Sequence, residues 1–187
     1  MILGLSLHAF AQLHTILSLI GIVTGLIVLY GMFGAQKKMP GWTALFLATT
    51  VLTSVTGFLF PRIAVTPAEV VGAISLVALA AALLALYVLH LKGAWRWIYV
   101  VAAMLALYLN VLVGVVQTFQ KLSFLHALAP NGSEPLFIVA QTIVLLIFVL
   151  LGFMTVRKFH PCGARGRKAE VQTQTQAVSA PFSLSST

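Results

Sequence analysis

AWRWIYVVAAMLALYLNVLVGVVQTFQK, residues 94–121, is the stretch whose reading decides the fold. From Trp97 to Thr118 it runs 22 residues without a charge. At about 1.5 Å per helical residue, that is long enough to cross a hydrocarbon layer of about 30 Å. One strongly polar side chain, Asn110, lies deep within it. At roughly 100° per residue, Ala103, Ala106, Asn110, Gly114 and Gln117 fall on one narrow stripe, while Leu, Val and Tyr cover the remaining surface. The stripe is expected to face other helices, with Ala103, Ala106 and Gly114 letting backbones approach around one amide.

The rest of the chain is of the same kind. Of its 187 residues, 60% are hydrophobic and only 7% charged, against about 25% charged in an ordinary soluble domain. A soluble fold could not hide that much apolar surface. A net charge of +8 would suit a nucleic-acid binder, but the basic residues sit in short loops and a tail between apolar runs. That is a pattern of membrane topology, so no nucleic-acid partner is expected. Cys162 stands alone, so no internal disulfide can form, and the five histidines show no zinc spacing.

Outward from the central stretch, the apolar runs predict an all-α integral membrane bundle of five transmembrane helices. The spans are about 9–33, 42–60, 68–89, 97–118 and 136–156. The bundle fills residues 1–158, and residues 159–187 form a basic, then Gln-, Ser- and Thr-rich tail expected to be disordered and cytoplasmic. The first run has no basic segment before it and no small-residue cleavage pattern after it, so a cleaved signal peptide is not expected. Pro61 ends the second span. Thr66, Pro67 and Glu69 match an N-cap, a first-turn proline and a capping-box carboxylate. Ser133 is expected to cap the last helix, and the connection before it, QKLSFLHALAPNGSEP, reads as a loop.

Five spans place the termini on opposite sides. Lys37, Lys38, Lys92, Arg96, Arg157, Lys158, Arg165, Arg167 and Lys168 then share one side and Arg62 and Lys121 the other, nine against two. The positive-inside rule puts the N-terminus outside and the C-terminus in the cytoplasm. Trp42, Trp95 and Trp97 fall near the cytoplasmic ends, as interfacial anchors would. Spans one and two share no motif with four and five beyond Gly and Ala, whereas inverted-repeat transporters usually show one.

His14, Ser18, Gly21 and Gly25 share a face of the first helix, and Gly21 to Gly25 is a G-x-x-x-G step. That step serves either packing within the bundle or a homodimer. By depth, His14, Asn110, Gln117 and Gln141 all fall in the outer half of the membrane and are the candidate polar cluster. Such groups can simply hydrogen-bond between helices, or they can line a small-molecule, quinone or cofactor pocket with a titratable imidazole. A b-type haem would need two imidazoles at matching depth. His14 and His126 are the outer pair to consider, with His8 a further outer candidate and His90 and His160 on the inner side. Weak likeness to di-haem cytochrome b561-type proteins, which carry two inward-facing pairs, stops at the missing inner pair. No haem, quinone or metal is the expected state, with haem b or quinone as the alternative.

Thr49, Thr50, Thr53, Ser54 and Thr56 make the second span heavily hydroxylated, which back-bonding to the i−4 carbonyl explains without a ligand. Charge is missing from the middle of every span, against a carboxylate-coupled pump or a voltage sensor. The run Arg157 to Lys168 carries five basic residues and is expected to meet anionic lipid headgroups. Nothing matches a P-loop, a zinc-protease helix, a nucleophile elbow or a dinucleotide fingerprint.

The blocks GWTALFLATTVLTSVTGF, LKGAWRWIYV and HALAP with SEP resemble those of small uncharacterised multi-spanning bacterial membrane proteins, over roughly residues 8 to 145. The resemblance implies a bacterial inner membrane and carries no activity onto particular residues. The expectation is therefore an accessory or scaffold protein without catalytic activity, in a homodimer or larger membrane complex. A haem or quinone binder is the second reading and a small-solute transporter or channel the third.

Overall fold

A computed structural model describes residues 4–35, 39–61, 66–129 and 134–158. Among these the chain is all helix: α1 Leu7–Tyr30, α2 Pro40–Gly57, α3 Pro67–Leu83, α4 Trp95–Lys121, α5 Ser123–Leu128 and α6 Pro135–Lys158. Two π-helical turns, Gly31–Ala35 and Leu84–Val88, continue α1 and α3. Four helices are long and apolar enough to cross a membrane, with the turns included: Leu7–Phe33, Pro67–Val88, Trp95–Lys121 and Pro135–Lys158. The hydroxylated α2, 18 residues long, is not among them.

Local chemistry sets the helix starts. Ser6 caps α1 by accepting from the Ala9 N–H at 3.2 Å. At α3 the capping box forms as the sequence suggests, with the Glu69 carboxylate accepting from the Thr66 N–H at 3.1 Å. Ser133 lies outside the described residues, as do His160, Cys162 and the tail. The connection after α4 is a loop only in part: α4 breaks at the extended Leu122, and Ser123–Leu128 then makes one further helical turn and a half. His126 is therefore on a short helix rather than in a loop.

Helix α3 ends differently. Its last turn widens, with the Leu89 N–H donating to the Leu84 carbonyl and the Leu91 N–H to the Ala85 carbonyl, both at 2.9 Å. The chain then reverses through the left-handed region at His90 (φ 51°), Leu91 (φ 58°) and Gly93 (φ 54°). This drops the Leu91 side chain into the core.

Sequential helices run antiparallel, so the ends near Tyr30, Pro40, Val88, Trp95 and Lys158 form one end of the bundle. Lys158 stacks over the Phe33 ring at 4.4 Å there. Helix α4 is central, packing on α1, α2, α3 and α6. Its small residues Ala103 and Ala106 are buried, and the shared core adds Phe46 and Leu47 from α2 with Leu79 and Ala82 from α3. Helix α6 is peripheral, and Thr155 is its only buried residue.

Candidate functional site

The polar residues of the spans gather along the seam where α1 meets α2 and α4. At one end of it, the exposed Lys121 Nζ lies 3.5 Å from Thr15 Oγ1. One residue back on α1, about 100° around the helix, His14 Nδ1 is 2.9 Å from Thr56 Oγ1 of α2, and its ring stands edge-on to Phe60 at 5.4 Å. Deeper, the Ser18 hydroxyl donates to Asn110 Oδ1 at 2.7 Å, and Asn110 Nδ2 reaches back to the Ser18 carbonyl at 3.4 Å. Deeper still is Gly21. A Cβ there would stand 2.9 Å from Asn110 Nδ2, 3.1 Å from Thr50 Oγ1 and 3.4 Å from Thr49 Oγ1.

Below Gly21 the seam turns apolar. A Cβ on Gly25 would meet Leu107 Cδ1 at 2.5 Å and the Phe46 ring at 2.9 Å, so both glycines of the G-x-x-x-G step are covered from within the chain. Phe46, Leu107, Val28 and Leu29 close the seam before the Tyr99–Thr43 hydrogen bond at the far end of α2.

The four residues expected to cluster are not brought together. His14 and Asn110 share the seam, but Gln141 does not reach it. Tyr108 and Asn110 are two residues apart on α4 and so point about 200° apart. Helix α6 docks on the Tyr108 side, through Tyr108–Phe148 at 5.7 Å and Met104 against Gly152. Gln141 there donates to the Leu112 carbonyl at 3.2 Å, with its Oε1 buried and partnerless. Gln117 is exposed, because the stripe of α4 leaves the bundle beyond the half-buried Gly114. Spacing along one helix could not foresee this, since it fixes a residue's direction only relative to its own helix.

Of the imidazoles, His14 is half-buried in the seam, while His8 and His126 are exposed. His90 donates from Nδ1 to the Val88 carbonyl at 2.8 Å. Among the described residues, no group of three or more His, Cys, Asp or Glu could hold a metal ion.

The threonines behave as back-bonding requires. Thr49, Thr50, Thr53 and Thr56 donate to the carbonyls four residues before them, at 2.7 to 2.9 Å. Ser54 instead crosses to Ser75 of α3 at 3.3 Å. The residues that reading single helices missed were Ser18 as the partner of Asn110, Thr56 as the partner of His14, and Lys121 beside Thr15. The shared face of His14, Ser18 and Gly21 was the available signal for the first two. No family model, curated protein or solved structure matches the chain.

Proposed function

We propose that the chain is a five-span membrane protein, with its N-terminus outside and its tail in the cytoplasm of a bacterial inner membrane. In this reading it serves as an accessory subunit of a larger membrane assembly. The observation that carries the fifth span is the inverted surface of α2. Its exposed large side chains are Trp42, Leu45, Leu52 and Val55, while Thr43, Thr49, Thr50, Thr53 and Ser54 are buried. A helix meeting water shows the opposite arrangement. In lipid it is stable, because the buried hydroxyls are satisfied inside the bundle and the large side chains that meet hydrocarbon are Leu, Val and Trp. Helix α2 also runs beside α1 from the level of Gly25 and Phe46 to that of His14 and Thr56, so it covers much of the same depth.

Nine basic residues against two support the orientation. Trp42, Trp95 and Trp97, exposed at the end that carries Lys158, support it as interfacial anchors. Arg157 and Lys158 stand at that end too, where anionic lipid headgroups would meet them. The accessory role is supported by the seam itself, whose polar groups bond mostly to one another and to backbone, an arrangement that holds a bundle together. Native gel electrophoresis of mild-detergent extracts, with the chain tagged at its own expression level, tests the role. Migration with a larger assembly that dissociates when the chain is deleted is expected. A lone monomer that moves a solute in liposomes would contradict it.

A further inference from the structure

The charge-free run of α4 ends at Thr118, and Lys121 is the first charge beyond it. In a membrane-spanning helix this puts the end of α4 at the surface of the hydrocarbon layer. Phe119, two residues before the end of α4, meets Phe137, two residues into α6, edge to face at 5.4 Å. The chain therefore leaves α4 and enters α6 at one level. Between them α5 follows α4 after a single extended residue, Leu122 (φ −86°, ψ 113°). Phe124 is three residues beyond Lys121, so α5 begins at that same level.

Helix α5 has two faces. At about 100° per residue, Phe124, Leu128 and Leu125 fall within one arc of about 100°, and His126, Ser123 and Ala127 fall within the opposite one. Leu125 is half-buried, and α5 packs on α4. Phe124 and Leu128, one turn apart, stay outside. Phe124 is 75% exposed, more than any other large hydrophobic side chain among the described residues, and Leu128 is 47% exposed. Facing water, such a pair is penalised, and a helix of six residues has too few hydrogen bonds to hold itself there. A boundary between hydrocarbon and water suits both arcs at once. Charge points to the same neighbour: no carboxylate lies between Lys121 and Leu128, and Lys121 stands at the start of the segment, where it can meet a lipid phosphate. We propose that α5 is an interfacial helix lying on the phospholipid surface, with Phe124 and Leu128 inserted among the acyl chains and Ser123 and His126 turned to the headgroup water. The assignment goes beyond the accessory role and rests on the reading that the bundle spans the membrane.

Spin labels on the full chain, reconstituted in liposomes of phosphatidylcholine and phosphatidylglycerol, test it. In a Cys162→Ser background, Phe124→Cys, Leu128→Cys, Ser123→Cys and Ala127→Cys each replace an exposed side chain of α5 with one label. Collisions with oxygen, which concentrates in hydrocarbon, are compared at each label with collisions with a water-soluble nickel chelate. The Phe124→Cys and Leu128→Cys labels should meet oxygen more than nickel, and the Ser123→Cys and Ala127→Cys labels nickel more than oxygen. Four labels that all favour nickel would overturn the proposal. So would Phe124→Cys and Leu128→Cys labels shielded from both reagents, the mark of a second copy over that face. Leu146→Cys, exposed in the middle of α6, separates this assignment from the spanning reading beneath it. An oxygen-rich Leu146→Cys label beside a nickel-rich Phe124→Cys label rejects the interfacial helix alone, whereas a nickel-rich Leu146→Cys label rejects the bundle's place in lipid and the interfacial helix with it.

Discussion

Ser18 and Asn110, 92 positions apart in the sequence, hold α1 to α4 by a two-way contact: the Ser18 hydroxyl donates to the Asn110 carbonyl oxygen, and the Asn110 amide points back at the Ser18 carbonyl. The contact lies over Gly21, whose missing side chain makes room for the amide. Polar pairs between membrane helices contribute about 0.6 kcal/mol on average and about 1.7 at most, because the separated helices also find partners. A double-mutant cycle of Ser18→Ala and Asn110→Ala, read by reversible unfolding in mixed micelles, should give a coupling within that range. A coupling of zero would mean that the two helices are held by packing alone.

The glycines of α1 and α4 differ in what they accommodate. Gly25→Ala drives a methyl into Leu107 and the Phe46 ring and should destabilise by about 1–3 kcal/mol, with partial recovery when Leu107→Ala makes room. Gly114→Ala on α4 meets only the end of Ile22 at 3.3 Å and should be nearly neutral. Cross-linking of the Gly25→Ala variant checks the same point from another side. Its oligomeric state should not change, because that face is already occupied by α2 and α4.

Thr155 is the one buried residue of α6, fully enclosed, with its hydroxyl partnerless. Valine has the same shape without the unpaired group. Thr155→Val should therefore stabilise the bundle by about 1–3 kcal/mol in the same unfolding assay. Loss of stability instead would show that the hydroxyl has a partner.

His90 is exposed, so changes there report on the backbone. With φ at 51°, asparagine should be tolerated and β-branched valine should destabilise by about 1–3 kcal/mol. Thermal denaturation of the two variants separates these outcomes. Equal stability would argue against the left-handed reversal after the π turn.

Much of the fold was legible because membrane helices are written locally. Residues 94–121 announced α4 by length and lack of charge, and Thr66, Pro67 and Glu69 announced the start of α3 by capping chemistry. The face of α1 bearing His14, Ser18, Gly21 and Gly25 was legible too, since periodicity fixes it. What stayed hidden depends on how one helix is turned against another. Gln141 looked equivalent to His14 by depth, yet α6 docks on the Tyr108 side of α4, and the amide ends on the Leu112 carbonyl. The π turns were equally hidden, because no residue type in Gly31–Ala35 or Leu84–Val88 demands them.

Whether α2 crosses the membrane decides the span count and the sidedness of everything after it, and cysteine labelling at its two flanks tests this most directly. In a Cys162→Ser background, Gly41→Cys and Ala68→Cys each place a thiol at an exposed position just inside a helix start. A Cβ on Gly41 meets nothing within 4 Å. In intact bacterial cells a membrane-impermeant maleimide should label Ala68→Cys, and should label Gly41→Cys only after the cells are permeabilised. Labelling of both from the same side would contradict the five-span bundle and put the two termini on one face of the membrane.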